Sequence, residues 1–456
     1  MANSKLFFIF SAALCIISNS FATSTSSGSL ELSASDPRNT QSLPYLNTSR
    51  ANFSYTLDTS FDAPDGVTKY GIHADLEFGS NASNDMGGTN LEEAYLFFKK
   101  PQGSMFFGLQ NPVTSKFLVN SSTFINPESG IAGQWYRYTQ YPIIGSGAGF
   151  NPTFITHPFM PLKHGFTSSL VLHSFGQTGS ATDYTKPYFY QPRIGWGEGS
   201  PSISFISKRS QSGFKFAMSY IPTNDDRAII TTANLNDQRD LSLSSIINNS
   251  GGYYAMSDIF AIAINHLKEF GSGVTIASSF LSEIGNYTNL KNVTNGITSP
   301  TNTYQKRHAM RSYSLGSNIN YLGFTAGGSF GYYGNSFYYI KDSAIPANTP
   351  NYTMAIDNNG TLSDFNKSYF YDFGTGYSFG RYSFGASYFY STFMNNRFSN
   401  LVISSDVKLS KNLTQFISFS HSNFQTANYY DQNLASIIKN PELKQNILML
   451  GIKYTF

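Results

Sequence analysis

Hydrophobic and polar side chains alternate along the C-terminal half of this chain. Tyr369, Tyr371, Phe373, Thr375, Tyr377 and Phe379 share one face of an extended segment, whereas Asp372, Gly374, Gly376 and Ser378 share the other. The alternation resumes after the two-residue turn Gly380-Arg381, at Tyr382, Phe384, Ala386, Tyr388 and Tyr390. A period of two residues predicts β-strands. The length of each run matches the roughly 9–11 residues of a tilted strand that crosses a membrane.

The same alternation predicts sixteen strands along the whole chain. They span about 30–35, 50–58, 67–79, 90–99, 103–111, 201–208, 212–221, 255–268, 271–283, 308–320, 322–335, 367–379, 381–393, 399–409, 412–422 and 446–456. Tight turns alternate with longer loops rich in Asn, Ser, Thr and Gly, as in outer-membrane barrels, where the long loops are extracellular. In 112–200, the stretches Phe166 to Phe175 and Tyr188 to Trp196 leave open one more hairpin and therefore eighteen strands.

The first 22 residues have the features of a secretory signal peptide. Lys5 supplies a positive charge, Leu6 to Ile17 is apolar, and Ser20-Phe21-Ala22 offers small residues for cleavage. Residues 1–22 are therefore predicted to be removed, and 23–456 to form a single barrel domain. The only cysteine, Cys15, lies in this segment, so the mature chain is predicted to have no disulfide and no cysteine–metal site.

Composition supports a membrane barrel over a soluble protein. Aromatic residues make up 16% of the chain and charged residues only 12%, about half the usual charged fraction. No part of the predicted mature chain is a continuous apolar run of about 18 residues, which excludes helical spans. An all-β transmembrane barrel reconciles these features, because its strands alternate between lipid and water. The net charge of +3 does not indicate an electrostatic partner.

The last strand ends in a pattern that resembles an assembly signal. Leu448, Leu450, Ile452, Tyr454 and Phe456 share one face, and Phe456 is the final residue. A terminal aromatic residue, with Tyr454 two positions before it, resembles the strand that the barrel assembly machinery reads in bacterial outer-membrane proteins. The alternative is an ordinary strand of a soluble β-sandwich.

Several segments resemble the trimeric general porins of alphaproteobacteria, a family of Gram-negative outer-membrane porins. The hairpin from Ile203 to Pro222 ends in Ser219-Tyr220-Ile221-Pro222, and Glu93-Ala94-Tyr95 precedes Phe107-Gly108-Leu109-Gln110, where Leu109 replaces a basic residue. The strands around Phe384 and Gly323 are also similar. The resemblance implies a sixteen-stranded barrel, a homotrimer and a third extracellular loop that folds into the lumen.

That inward loop would lie within 112–200, whose length independently favours a functional or packed loop. The residues in it that would set selectivity at a constriction are Lys116, Glu128, Arg137 and His157. Each of them is otherwise an ordinary solvated loop residue.

Alternation also predicts which charges line the lumen. On strand 67–79 the apolar residues occupy even positions, so Lys69, His73, Asp75 and Glu77 are predicted to face inward. Lys215, Asp372, Asp406, Lys408 and Lys453 are assigned inward in the same way. Both signs of charge occur, which argues against strong ion selectivity.

The sequence predicts a channel and no enzyme. His157, His164 and His173 lack metal-ligand spacing, and no nucleophile elbow, phosphate loop or nucleotide fingerprint occurs. No catalytic residue, cofactor, metal or nucleic-acid partner is therefore expected. The predicted function is passive diffusion of small hydrophilic solutes and ions through a water-filled channel in the outer membrane. A substrate-specific channel, favoured by eighteen strands, and a barrel-scaffolded adhesin or enzyme remain alternatives.

Overall fold

The computed structural model is a closed antiparallel β-barrel of sixteen strands. It describes residues 22–38, 49–81, 88–123, 141–143, 188–190, 200–223, 255–288, 292–294, 297–299, 309–336, 368–393, 396–425, 429–431, 436–438 and 442–456. The first eight barrel strands are β1 (Ala22–Arg38), β2 (Ser49–Asp62), β3 (Lys69–Asn81), β4 (Gly88–Lys100), β5 (Gly103–Gln110), β6 (Ser200–Ser207), β7 (Phe214–Thr223) and β8 (Ala255–Glu269). The remaining eight are β9 (Thr275–Thr288), β10 (Met310–Tyr321), β11 (Phe324–Gly334), β12 (Ser368–Phe379), β13 (Tyr382–Phe393), β14 (Asn396–Lys408), β15 (Leu413–Gln425) and β16 (Glu442–Thr455).

Each strand pairs with its neighbours along the chain, and the first strand closes the barrel against the last. In this seam Leu30 lies opposite Tyr454 and Leu32 opposite Ile452. The Gly28 N–H donates to the Phe456 carbonyl at 3.1 Å, and the Phe456 N–H donates to the Gly28 carbonyl at 3.0 Å. Closure leaves no unpaired strand edge, the condition that a β-structure must meet in lipid.

The prediction of sixteen strands is confirmed, and the eighteen-strand alternative is wrong. Residues 141–143 and 188–190 pair only with each other, in a short ribbon separate from the barrel. The stretch Phe166 to Phe175 lies outside the described residues. β1 is longer than predicted, since its Ser- and Thr-rich beginning pairs with β2, with Ala22 opposite Phe61. The prediction omitted this part because it lacks apolar alternation.

The barrel has two different rims. At the short-turn rim, the connections are 63–68, 101–102, 208–213, 270–274, 322–323, 380–381 and 409–412. The opposite ends of the barrel strands form the second rim, here called the long-loop rim because most of the connections that begin there are longer. Five of the short turns contain a glycine with positive φ, among them Gly380 (φ 56°) and Gly323 (φ 83°), and in the second of these turns Leu322 also has a positive φ of 49°. Positive φ at both central residues is the conformation of the tightest hairpin turns, which match the strand twist.

Outward-facing side chains form an apolar band between two aromatic girdles. Leu315, Ile403 and Leu450 are each about half exposed, at 60%, 52% and 49%. On β12, Tyr369 belongs to one girdle and stacks near Phe330, whereas Phe379 belongs to the other and packs on Tyr382. Ten residues span about 33 Å along a strand, or about 25 Å across a membrane at a tilt of roughly 40°. This matches the lipid-facing band of outer-membrane barrels.

The inner face carries its own buried aromatic row. Phe370, Phe389, Phe398 and Phe424 lie on the successive strands β12 to β15 and are at most 1% exposed. Three of these rings follow one another at about 6 Å, with 6.0 Å between Phe370 and Phe389 and 6.1 Å between Phe389 and Phe398. Gly331 lies directly opposite Phe370, and a Cβ at Gly331 would overlap that ring. The alternation therefore sorts residues by face, but both faces hold aromatic side chains.

Helical structure in the described residues is limited to one turn, α1 (Val113–Lys116), and a 3-10 turn at Ser121–Thr123. No helix in this part of the chain is long and apolar enough to cross a membrane.

Candidate functional site: the barrel lumen

The chain that follows β5 enters the lumen. Residues 111–123, here called the lumen segment, contact inward-facing side chains on five strands. The Asn111 N–H donates to the Glu93 carboxylate (2.7 Å), and the Ser121 N–H donates to the Asp372 carboxylate (2.7 Å). The Val113 N–H donates to the Ser219 hydroxyl (3.1 Å), and the Val119 N–H donates to the Ser279 hydroxyl (3.2 Å). The Asn318 side chain donates to the Asn120 carbonyl (3.0 Å). The segment therefore runs across the lumen from β4 to β12.

Small and polar residues on the wall allow this close approach. A buried backbone N–H must find an acceptor, and serine hydroxyls and carboxylates on the wall provide it. A Cβ on Gly316 would overlap the Val119 carbonyl, so only glycine lets the segment lie this close to β10. Phe117 and Val119 are themselves 6% and 7% exposed. The lumen segment is thus packed onto the wall as part of the barrel interior.

Two buried carboxylates hold the segment in place. Asp372, 3% exposed, accepts hydrogen bonds from the Ser121 N–H and from the Ser329 hydroxyl. Glu283, which is fully buried, accepts a hydrogen bond from the Thr114 hydroxyl. Because hydrogen bonds to charged acceptors are stronger than those between neutral groups, these carboxylates are the main attachment points on β9 and β12.

A charged cluster lies at the opposite side of the lumen. Lys116 Nζ is 3.5 Å from Glu93 Oε1 and 4.9 Å from the centre of the Tyr95 ring. His73 stacks on Tyr95 at 4.5 Å, with Nδ1 2.9 Å from Asp58 and Nε2 3.8 Å from Glu93. The two carboxylates face different ring nitrogens and do not converge on one point. The cluster is therefore suited to fixing the lumen segment and to interacting with passing charge, not to holding a metal.

Six of the residues that the sequence singled out lie at several levels of the inner face of the barrel. Lys116 and His73 belong to the charged cluster, and Asp372 to the attachment on β12. Asp75 accepts a hydrogen bond from the Thr56 hydroxyl at 3.1 Å. Lys69 lies at the short-turn rim, 3.4 Å from Asp62.

Lys408 is exposed at the same rim, on the face of β14 that carries the buried Val402 and Asp406. Glu77 lies on β3, and its side chain is outside the described part of the structure. Glu128, Arg137 and His157 also lie outside the described residues. Of the two predicted assembly residues, Tyr454 is in β16, and the Phe456 ring packs over Gly28 and stacks with Phe53 at 5.9 Å.

Sequence reasoning missed three members of the charged cluster, namely Asp58, Glu93 and Tyr95. Their inward orientation follows from alternation, but their proximity follows from register, in which His73 lies opposite both Asp58 and Tyr95. The predicted strands, 50–58 and 67–79, would have paired Asp58 with Val67, whereas the observed turn after Asp62 pairs Asp58 with His73. The sequence pattern alone therefore did not bring these residues together.

Solvent reaches the inner wall unevenly. Inward side chains on β2 and β3, such as Thr56 and Asp75, are half-buried, and the Asp58 side chain is 46% exposed. On β14 and β15 the inward Asn400, Ser418 and Ser420 are at most 1% exposed. The wall formed by β2 and β3 is therefore the more accessible side of the lumen.

Solved structures of the same architecture cover nearly the whole chain. OmpT, an outer membrane protein of Vibrio cholerae folded in vitro, has a TM-score of 0.50 and 9% identity over 96% of this chain and 99% of that chain. OmpF of Salmonella typhi, solved in complex with daunomycin, has a TM-score of 0.50 and 10% identity over 95% of this chain and 97% of that chain.

The chain has the outer-membrane porin fold. An anion-selective porin from Comamonas acidovorans, at 12% identity, covers 96% of this chain and 100% of its own length, with a TM-score of 0.49. No family model and no curated protein sequence matches the chain. At these identities the likeness to solved porin folds concerns the barrel alone and assigns no role to the residues in the lumen.

Proposed function

We propose that this chain forms a channel in the bacterial outer membrane for the passive diffusion of small hydrophilic solutes and ions. One observation carries the proposal. The barrel exterior is an apolar band between aromatic girdles, while the accessible inner wall on β2 and β3 is lined by Thr56, Asp58 and Asp75. A polar, solvent-accessible wall inside a closed lipid-facing barrel offers a water path that needs no cofactor and no reaction.

The lumen segment narrows this path. Lys116 and Glu93 face the accessible wall from the segment and from β4, so a solute that passes Asp58 meets both signs of charge. Charges in a narrow, low-dielectric passage act strongly on ions. We assign Lys69, His73, Asp75, Glu77, Asp372 and Lys408 to the lumen lining, and Glu128, Arg137 and His157 to the continuation of the same loop.

A substrate-specific channel is the second candidate, and the burial pattern favours it over an adhesin. Most of the inner wall on β12 to β16 is buried, including Phe370, Phe389 and Asn400. An open path restricted to one side of the lumen would select solutes by size and shape more strictly than a wide pore. Eighteen strands would have favoured a substrate-specific channel, but the observed sixteen strands do not decide between the two kinds of channel.

Planar-bilayer recording tests the proposal. Purified, refolded protein is expected to insert in uniform conductance steps, whereas protein kept unfolded in urea, the matched control, gives none. Absence of steps in repeated reconstitutions of protein shown to be folded would refute a channel. Block of the steps by one class of solute at micromolar concentration would favour the substrate-specific channel over general diffusion.

Export and assembly follow from the same proposal. Residues 1–22 are removed as a signal peptide, so N-terminal sequencing of protein from outer membranes is expected to begin at Thr23. The barrel assembly machinery recognises β16 through Tyr454 and Phe456, so Phe456→Ala is expected to reduce the amount of assembled barrel in cells. Refolding of this variant in vitro separates recognition from stability, because only recognition requires the machinery.

The assembled channel is proposed to be a homotrimer. The mass of the detergent-solubilised complex, measured by light scattering with the detergent contribution subtracted, is expected to be three times that of one mature chain. A complex with the mass of one chain would refute this part of the proposal and leave the channel itself untouched.

A further inference from the structure

Basic side chains gather at the short-turn rim and are sorted into two sets by the alternation of the strands. Five lysines occupy inward-facing positions at strand ends: Lys69, Lys99, Lys215, Lys408 and Lys453. Six other basic residues lie at the same rim: Lys100 and Lys268 occupy outward positions, and Lys208, Arg209, Arg381 and Lys411 lie in its turns.

Contacts support the inward set. Lys69 pairs with Asp62 on the same face of the sheet as His73. Lys99 Nζ lies 4.2 Å from the centre of the buried Phe97 ring, and Lys215 Nζ lies 5.5 Å from the ring of Phe117 in the lumen segment. Lys408 and Lys453 follow the inward Asp406 and Gly451 at a spacing of two residues, so alternation places them on the inner face too.

Contacts also support the outward set. Arg381 lies 5.1 Å from the centre of the Tyr382 ring and donates to its hydroxyl at 2.9 Å. Lys268 Nζ lies 5.5 Å from the Phe270 ring. Tyr382 belongs to the lipid-facing girdle, because it packs on Phe379. These cations therefore face the membrane interface, outside the lumen.

The positions of two inward lysines lower the stability of the folded barrel, so a structural role alone does not explain them. Lys69 and Lys99 lie directly opposite each other on β3 and β4. Like charges at opposed positions repel and destabilise a strand pair. Asp62 offsets only part of this repulsion, because the pair that it forms with Lys69 is exposed on both sides, at 66% and 60%, and is well screened.

The sign of the charge reverses deeper along the same wall. Asp58 and Asp75 occupy inward positions on β2 and β3, between the lysines and the long-loop rim. An ion that moves along this wall therefore passes from a positive mouth to a negative middle. Such an arrangement makes the two ends of a pore electrically different.

We propose that the inward lysines form an anion-binding vestibule at the short-turn mouth of the lumen, which concentrates small multivalent anions such as phosphates and polycarboxylates. This inference rests on the proposed channel function and names the class of solute that the mouth favours. The field of the vestibule would also make conduction depend on the direction of the current.

Coulomb's law gives the size of the effect. One unit charge about 10 Å from the ion path in water changes the local concentration of a monovalent anion about twofold. At an ionic strength of 0.1 M, screening reduces this to about 1.3-fold for each lysine, or about twofold for three together. Anions are enriched and cations depleted, so the ratio of chloride to potassium permeability changes by more than twofold.

The test compares two triple variants with the same loss of charge at the same rim. The inward variant is Lys69→Gln, Lys99→Gln and Lys408→Gln, and the outward control is Lys100→Gln, Lys268→Gln and Arg381→Gln. Reversal potentials are measured in a KCl gradient near 0.1 M. The inward variant is expected to lose chloride preference by at least about twofold and to rectify less, whereas the control stays within the scatter of the unmodified protein.

Equal shifts in the two variants, or no shift in either, would overturn the vestibule while leaving the channel intact. A second measurement does not depend on conduction. Titration calorimetry of the detergent-solubilised protein with sodium triphosphate at low salt is expected to show binding that is lost in the inward variant and kept in the control. If the protein proves not to conduct, this binding result still decides the vestibule: its presence supports the site, and triphosphate binding that is absent or indifferent to the inward lysines refutes it.

Discussion

Replacing Asp372 by alanine should release the lumen segment from the wall while leaving the barrel closed. The carboxylate accepts hydrogen bonds from the Ser121 N–H and the Ser329 hydroxyl. Each hydrogen bond to a charged acceptor contributes roughly 1.5–3 kcal/mol. Burial of the carboxylate costs several kcal/mol in desolvation, which offsets part of this gain. The net loss of local stability on Asp372→Ala is therefore about 1–3 kcal/mol.

This loss should appear as faster hydrogen exchange in the lumen segment. If the segment opens locally, a loss of about 1–3 kcal/mol accelerates amide exchange roughly 5- to 150-fold. Peptides that cover 113–123 are therefore expected to exchange faster in Asp372→Ala, as measured by mass spectrometry in detergent micelles. Asp372→Asn keeps a neutral acceptor worth about 0.5–1.5 kcal/mol, and its exchange should be intermediate.

Ser378→Ala provides the matched control. Ser378 lies on the same strand, and its hydroxyl donates to the Ser383 hydroxyl at 3.0 Å near the short-turn rim. Exchange in 113–123 should be unchanged in this variant. If Asp372→Ala remains folded and exchanges in this segment at the rate of the unmodified protein, the carboxylate is not the attachment point.

Three further changes test individual features of the barrel. Leu322 has a φ of 49°, so Leu322→Asn should stabilise the barrel by about 1 kcal/mol in urea unfolding from lipid vesicles, and a loss of stability would contradict the turn conformation. Gly331→Ala places a Cβ against the Phe370 ring and should lower the free energy of unfolding by about 1–3 kcal/mol. Adding Phe370→Leu should recover part of this stability. Full stability of the single variant would exclude this packing. The Asp65 carboxylate accepts hydrogen bonds from the Thr68 hydroxyl and from the Thr68 and Val67 N–H groups, which lower its pKa to about 2. Because the pKa falls on folding, this contribution is complete above about pH 4 and is lost as the pH drops through about 2, so the Thr68 amide resonance should titrate near pH 2; a midpoint near 4 would contradict the turn.

The strands were predictable because the physical signal is local. Alternation over ten residues around Tyr371 and Phe384 is a direct consequence of one face meeting lipid, and the turn at Gly380-Arg381 needs a residue that tolerates positive φ. The beginning of β1 was missed for the same reason. Its serines and threonines carry no apolar alternation, and only pairing with β2 makes them a strand.

The interior was less predictable because it depends on contacts distant in sequence. Alternation places Phe370 and Asp372 on the same inner face, yet it does not show that chain packs over them. The attachment of Ser121 to Asp372 joins residues 251 positions apart. Likewise, the neighbourhood of His73 depends on register across two turns, which composition and periodicity do not specify.

In the proposed channel, water fills the lumen along β2 while lipid covers the outer face of this strand. The chain's single cysteine, Cys15, lies in the predicted signal peptide, so single cysteines can be placed on β2 without background in the mature protein. In protein reconstituted into lipid vesicles, cysteines at the inward positions 54, 56 and 58 are expected to react with a charged, water-soluble maleimide. Cysteines at the outward positions 55, 57 and 59 are expected to remain unmodified until detergent is added. Equal reaction at all six positions, or reaction at the outward set alone, would contradict the account.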